Sequence, residues 1–480
     1  MRKGRFDKMA SSKGRKDTSD NRVFIRHCEE YERDTIMKLV HEGMRELNYT
    51  PLGNVFVKPN VVFSTKGGKY SSTIYTHSSV IGASLLALSH SEGVKRVDLG
   101  ENTGVGFATR MCFKYAGYYD EIRQIRKQAG APVGIFCIDE ERRDRVFLGG
   151  VVHDVLRVAR KMARADTKVY LPKLKCHCVS TMTGAVKLNI GICSDDERSI
   201  HHDYMLNDKI VDLLAVGYPD FIVMDAIDVG VGNEVLPTPR RLGLIIMGRN
   251  PMAVDLVGAR LLGHNLEDVP YLMRAVERGY TPTRLEDVVL SGDINSIEGL
   301  DNQAKRIMPY DDEFYRWWDI DKELKRLKSP IRFLWGYTRY EDKSKCLTGC
   351  VMGLKMFLGF LEAYAGPEAF SKAKAVVLVI GKVEEEIDAK GHEVFIIGSC
   401  SDASVINAKK ITRIDKCFTT ASDMLQIMSG RLGIRSALRD PSLILPLLYY
   451  ITWASLMKSV KLRYLQDMWH FITKSLLKKL

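Results

Sequence analysis

The chain of 480 residues contains no window of 18 or more apolar residues, and its basic beginning is not followed by an apolar stretch. The first absence argues against an ordinary membrane-spanning helix. The nearest candidate, residues 443–457, is interrupted by Pro446 and followed by Lys458. The second absence argues against a secretory signal peptide. Ten cysteines without such a signal do not form an expected disulfide framework. Each is expected to be a buried thiol, a metal ligand or a reactive group in a cytoplasmic protein. No internal repeat and no low-complexity tract stands out. A recognisable nucleic-acid motif is also missing. Lys and Arg number 71 against 59 Asp and Glu, but the excess is scattered or terminal, so nucleic acid is not the expected partner.

What is present is the composition of a globular chain, 45% apolar and 27% charged, long enough for at least two cores. Residues 1–22 carry eight Lys and Arg against three Asp, so 1–21 are expected to form a disordered basic arm. From there to residue 300, β-branched runs alternate with helix-length segments. The runs lie at 55–57, 94–99, 133–138, 169–171, 221–224 and 244–247. The helical candidates lie at 78–91, 152–164, 207–216 and 251–262. This alternation predicts an α/β fold, a mostly parallel sheet with helices on both faces. Residues 301–345, rich in aromatic and charged side chains, are expected to be a connector. A second, smaller α/β domain with a cysteine cluster is expected at 346–422, followed by a helical, basic, amphipathic tail at 423–480.

Parallel sheets seat ligands at the carboxyl ends of their strands, and several polar stretches fall there. FVKPN offers Lys58 and Asn60, with His77 just before the next helix; these suit a phosphate or carboxylate. DLGENTGVG places Glu101 at another strand end. LPKLKCHCVSTMTGAVKLNIG offers Lys173, Lys175, His177 and Lys187 around Cys176 and Cys178. A metal at Cys-His-Cys would need further ligands, for which Cys193, His201 and His202 are within reach in sequence. The neighbouring lysines oppose a cation there, and they would lower the thiol pKa values instead. MDAID and NPMAVD supply Asp225 and Asp255, each suited to a divalent cation or a proton, or to capping and turn roles.

These stretches, in this order, resemble the domain-of-unknown-function family numbered 362. The likeness covers about residues 22–280. It rests on the K-P-N turn, a P-K-x-K-x-H segment leading to a lysine and a glycine, and the closing A-V-D-x3-A-x3-G helix. Two departures stand out: Leu188 separates Lys187 from Asn189, and cysteines flank His177. The resemblance implies iron–sulfur association, because many relatives carry ferredoxin-like clusters beside this domain.

In the second domain, Cys346 and Cys350 form a C-x3-C pair, Cys400 follows a strand, and Cys417 comes later. Four such thiols could hold a [4Fe–4S] cluster or a zinc ion, or stay free. The tail combines Trp453, Tyr464, Trp469 and Phe471 with six Lys and Arg. It suits either a peripheral membrane contact or a homo-oligomer contact. The combined expectation is a redox enzyme or electron carrier with an anionic small-molecule ligand and a redox partner protein. In it Lys58, Asn60, Lys173, Lys175 and Lys187 bind the anion, while His77, His177, Asp225 and Asp255 move protons or hold a divalent cation. The alternative is a non-catalytic zinc scaffold.

Overall fold

The computed structural model describes residues 20–64, 72–338 and 344–469. The expected basic arm lies outside the described residues up to position 19. The first unit is built on strands β1 (Arg22–His27), β2 (Gly53–Pro59), β3 (Val94–Glu101), β4 (Val133–Cys137), β5 (Arg143–Phe147), β6 (Val155–Ala159), β7 (Thr167–Leu171), β8 (Lys173–His177), β9 (Thr181–Thr183), β10 (Phe221–Asn233), β11 (Leu236–Gly248) and β12 (Val289–Gly292). Eight of them run in the order β12-β1-β11-β10-β7-β2-β3-β4, with β8 and β9 hung on β10. The pairs from β10 through β7, β2 and β3 to β4 are parallel, and β11 is antiparallel to both neighbours. The expected mostly parallel sheet is therefore present.

Period-two alternation sends the strand residues into two separate cores. Val55, Val57, Val169, Leu171, Phe221 and Val223 enter one core, beneath the helices Arg33–Glu46 and Ser78–Ser89. Phe56, Tyr170, Ile222 and Met224 enter the other, beneath Leu206–Gly217 and Pro251–Leu261. Burial on both faces explains why these strands read as continuous apolar runs. The helix expected at 152–164 is not there. Leu156 and Val158 are buried while Val155 and Arg157 are only partly covered, an alternation of two that makes β6 the partner of β5. Helical structure is confined to the turn Arg160–Ala163.

The second unit holds β13 (Arg332–Trp335), β14 (Val376–Asp388), β15 (Glu393–Ile406) and β16 (Lys410–Ile414), all parallel. β13 comes from the stretch read as a connector, and Trp317 from the same stretch is fully buried in this unit's core. Val376 pairs with Glu393, and Glu393 with Lys410, so the chain advances 17 residues per rung. A parallel pair joined by only four residues is feasible because both long strands turn a corner, at Gly381 and Gly398, each with positive φ. No repeat was expected here. Apart from those glycines and the apolar runs before them, the rungs share little sequence. Helix Cys350–Ala365 packs across the coil and against the first unit. There Lys355 Nζ donates to the Cys178 carbonyl at 2.9 Å, and the Phe63 and Phe360 rings meet edge to face at 5.1 Å.

Among its described residues the tail holds helix Ala421–Met428, a short helical run at 463–469 and, between them, the 20-residue helix Pro441–Val460, which runs through Pro446 with a single charged residue, Lys458. The long helix is long and apolar enough to cross a membrane by length and composition, which corrects the expectation that no such segment exists. It is apolar on nearly every side rather than amphipathic, so no face of it reads as polar.

Candidate functional site

The carboxyl ends of β2, β3 and β8 open onto a cleft of about 140 Å³ between the two units. Lys58, Asn60, Glu101, His177, Lys187, Arg198, His202 and Glu234 supply its polar lining, and Met352, Met356 and Phe418 close it from the second unit.

At its floor Lys58 Nζ lies 2.5 Å from Glu101 Oε2, both side chains almost wholly removed from water. Glu101 also accepts the backbone N–H groups of Val61 and Asn102. Burial pushes the Lys58 ammonium down and the Glu101 carboxyl up, while their attraction opposes both shifts. Gly191 makes this pairing sterically feasible: a Cβ there would stand 2.3 Å from Glu101 Oε1 and 2.5 Å from Lys58 Nζ.

His177, at the end of β8, accepts the N–H groups of Val179 and Ser180 on Nδ1 at 3.3 and 3.2 Å. Its neutral form therefore carries the proton on Nε2, which faces Glu234 Oε1 at 3.6 Å. Burial pushes the imidazole down to about 3. The other Glu234 oxygen accepts the Cys178 thiol at 3.0 Å. His177, Cys178 and Glu234 bring their ligand atoms within 4.8 Å of one another. Glu234 sits at the tip of the β10–β11 hairpin, where no motif signals it, so sequence reasoning missed it. Cys176 does not join this group but packs into the core. Burial pushes its thiol up to about 12 and raises Cys178 as well, so the expected lowering by nearby lysines is overturned.

Lys187 makes no hydrogen bond or ion pair among the described residues, and burial lowers its ammonium to about 8. Arg198 is bound only to carbonyls, including Asn102 O at 2.6 Å, with no carboxylate partner among the described residues. Buried Asn60 Oδ1, His202 Nδ1 and Glu234 Oε1 make no hydrogen bond among the described residues. Three orphaned polar atoms and two unpaired cations converging on one cleft call for a ligand. Lys58 and Glu101 cancel, and Lys187 and Arg198 against Glu234 leave one positive charge in excess.

The remaining expected residues lie elsewhere. Lys173 Nζ pairs with Asp225 Oδ2 at 2.9 Å and donates to Tyr31 OH at 2.8 Å. The N–H of His77 donates to Asp225, and its ring stacks on Tyr31 at 3.8 Å and caps helix Ser78–Ser89. Lys175 donates to the Ile74 carbonyl at 2.9 Å, and burial lowers it to about 7. Asp255 accepts the N–H groups of Ala185 and Val186 at 2.6 and 3.0 Å. Asp225 and Asp255 thus share no partner, and among the described residues neither joins a cluster of three ligand groups. Asn189 is tied to Tyr170 OH and the Val186 carbonyl. The inserted Leu188 thus leaves Lys187 facing the cleft and Asn189 in a packing role.

Behind the cleft stand Cys346, Cys350, Cys400 and Cys417, all free thiols. Cys400 and Cys417 each follow the last rung pair, Ile397 and Ile414, by three residues, so the 17-residue advance sets them on neighbouring rungs. Burial pushes Cys346 up to about 11, against hydrogen bonds with Thr348, and Cys417 up to about 12, where the Asp203 carboxylate adds to the rise ahead of the neighbouring thiols. Cys350 Sγ accepts the Thr419 N–H at 3.2 Å. Gly398 and Gly349 leave room beside the sulfurs: a Cβ on Gly398 would meet Cys350 Sγ at 3.0 Å, and one on Gly349 would meet Cys346 Sγ at 3.5 Å. Among the described residues no three of these sulfurs lie within 4.8 Å of one another. Phe418, next to Cys417, stacks on His202 at 4.9 Å and joins this corner to the cleft.

Comparison with known proteins gives three findings. Residues 55–260 match the family model described as Domain of unknown function (DUF362). The thylakoid-associated protein sll1697 of Synechocystis sp. (strain ATCC 27184 / PCC 6803 / Kazusa) is 27% identical over 138 residues, covering 27% of this chain and 43% of that protein. The lactate racemase apoprotein from Thermoanaerobacterium thermosaccharolyticum aligns at a TM-score of 0.30 and 11% identity, over 50% of this chain and 56% of that one. A likeness of that degree bears on neither the site nor its chemistry.

Proposed function

We propose that this chain, whose residues 55–260 match the DUF362 family model, is an iron–sulfur redox protein whose cleft binds an anionic small molecule bearing a phosphate or carboxylate. The observation that carries the proposal is the cleft's pairing of Lys187, which makes no hydrogen bond or ion pair among the described residues, and Arg198, which has carbonyl partners and no carboxylate among them, with three orphaned polar atoms, close to four neighbouring thiols. A single zinc ion holds its thiolates at about 2.3 Å, which puts tetrahedral sulfurs about 3.8 Å apart. Among the described residues no three of the four sulfurs lie within 4.8 Å of one another, so the thiols as placed do not form a closed zinc site, and the Thr419 N–H donated to Cys350 Sγ suits a thiolate ligand.

In this assignment a bound cluster would supply one-electron transfer at the edge of the cleft. The chain's own residues do the rest. Lys187 and Arg198 hold the anion by charge-assisted hydrogen bonds. His177 stays neutral, its Nδ1 held by the Val179 and Ser180 N–H groups, and donates a hydrogen bond from Nε2–H to the ligand, with the Glu234 carboxylate fixing the ring in that tautomer. Met352, Met356 and Phe418 exclude water from the outer side.

Anaerobic purification of the full chain, followed by iron and acid-labile sulfide analysis, tests the cluster. The expected result is a brown protein bleached by dithionite, with iron lost in Cys400→Ser/Cys417→Ser. Metal-free preparations of both, or a colourless zinc-loaded protein, would sink the cluster. Calorimetric titration with inorganic phosphate and with acetate tests the cleft: binding should be lost in Lys187→Met, and equal binding by wild type and variant defeats the anion assignment.

A further inference from the structure

Half of the large apolar side chains exposed on the described residues lie between Leu445 and Trp469. Leu448, Tyr449, Trp453, Leu456, Leu465 and Trp469 are each 41–68% exposed. A concentration of this kind exceeds the scattered apolar exposure normal for a surface and marks a contact.

The shape of the ridge narrows what can cover it. Helix Pro441–Val460 has 20 residues and is therefore about 30 Å long. Both of its ends are tied to the body of the protein. At the start, Asp440 caps Ser442 and accepts the Tyr364 hydroxyl at 2.9 Å. At the end, Lys458 pairs with Asp139, Lys461 pairs with Glu141, and Arg142 Nε donates to the Lys461 carbonyl at 3.0 Å. The inner side of the helix covers an apolar pocket lined by Phe63, Phe107, Met111 and Phe360. A helix held at both ends on one body lies along the surface. It presents its length sideways instead of threading a bilayer.

Charge decides between a membrane and a second copy of the chain. In sequence, residues 441–480 contain six Lys and Arg and one acidic residue, Asp467. Lys458, Lys461 and Arg463 are in ion pairs, and Lys474, Lys478 and Lys479 lie outside the described residues, so it is the net charge of the segment that counts. Arg142 and Arg160 flank Leu465, Met468 and Trp469. A second copy would bring like charge against like charge across the contact, whereas an anionic lipid surface is complementary to it. Tyr449, Trp453 and Trp469 are the amphipathic aromatics that suit the headgroup level.

We propose that residues 441–469 form a docking ridge that seats this protein on an anionic lipid bilayer, with the helix Pro441–Val460 lying in the interface plane. This goes beyond the cleft's function and does not depend on it.

The test is co-sedimentation of the full chain with phosphatidylcholine vesicles and with vesicles containing phosphatidylglycerol, beside size-exclusion chromatography. Binding should be stronger to the anionic vesicles, and brominated lipid should quench fluorescence that is lost in Trp453→Phe/Trp469→Phe. Leu448→Glu/Leu456→Glu alters only partly exposed positions and should weaken binding more than about tenfold with unchanged thermal unfolding. If that variant unfolds, the conservative Trp453→Phe/Trp469→Phe quenching result decides alone. Absence of vesicle binding, binding unchanged in a folded Leu448→Glu/Leu456→Glu variant, or a dimer dispersed by that variant would overturn the proposal.

Discussion

Lys58 Nζ and Glu101 Oε2 meet at 2.5 Å beneath the cleft, with 1% and 2% of their side chains exposed. The charges at this depth are tolerable only together, since either one alone would be an uncompensated ion in a buried site. Lys58→Met is therefore expected to destabilise the fold by about 3–5 kcal/mol. Lys58→Met/Glu101→Leu should recover much of that loss, because it removes both ions at once. Urea denaturation of the two singles and the double measures the coupling. Additive single effects would show that the pair does not act as a unit.

The rung geometry makes Gly398 a sensitive position for the cysteine corner. Its φ of +105° is one that L side chains rarely adopt, and an added Cβ would press on Cys350 Sγ at 3.0 Å. Gly398→Ala should lower the iron content of anaerobically purified protein several-fold while leaving phosphate binding in the cleft intact. Equal iron in variant and wild type would mean that the corner does not shape a metal site.

The anion's affinity should depend on pH through Lys187. Burial lowers its ammonium to about 8, from about 10.4 in an unfolded chain. The cation that attracts the ligand is present below that value and disappears as pH rises through it. Acetate, whose own charge is constant over this range, should therefore bind at least about tenfold more weakly at pH 9.5 than at pH 7. Fold stability should move the other way. Between about 8 and 10.4 the unfolded chain holds a proton that the folded one lacks, so Lys187 contributes a stability that rises with pH. Lys187→Met should remove both trends. A flat affinity profile would exclude Lys187 as the ligand's cation.

Much of the first unit was legible because burial on both faces leaves an unambiguous mark, the continuous apolar run at 221–224 or 244–247. The lysines at strand ends were legible for the same reason: Lys58 and Lys187 sit where an apolar strand or turn stops. Their partners were not. Glu234 reaches His177 from a hairpin tip 57 residues away in sequence, and only the fold brings the two together. Lys173 and Asp225 were each visible as ionisable residues, but nothing in the chain says that they satisfy one another. The 17-residue rungs were hidden because a coil's register is set by backbone pairing and two corner glycines. Identical side chains are not required. A helical tail is expected from the sequence, but its apolar length is underread when Pro446 and Lys458 count as interruptions. Pro446 lies early in the helix and Lys458 near its end, so neither breaks its apolar length.

Asp255 shows how a residue away from the ligand can govern the cleft. Its carboxylate accepts the N–H groups of Ala185 and Val186, the two residues that lead into Lys187. Gly184 allows the approach, since a Cβ there would stand 2.3 Å from Asp255 Oδ1. Burial raises the Asp255 carboxyl to about 7, against about 3.9 unfolded. Between those values the folded chain holds a proton that the unfolded chain does not, so this group's contribution to stability falls as pH rises from about 4 to about 7. Asp255→Asn removes that slope and leaves one of the two N–H groups facing an amide nitrogen, a cost of about 1–3 kcal/mol. The variant's deficit in urea midpoint should accordingly be larger at pH 5 than at pH 8. Phosphate binding at pH 7 should weaken as well, because the turn carrying Lys187 loses a fixed point. If the deficit is the same at both pH values, Asp255 is ionised in the folded chain throughout, and its hold on the turn is that of an ordinary carboxylate cap.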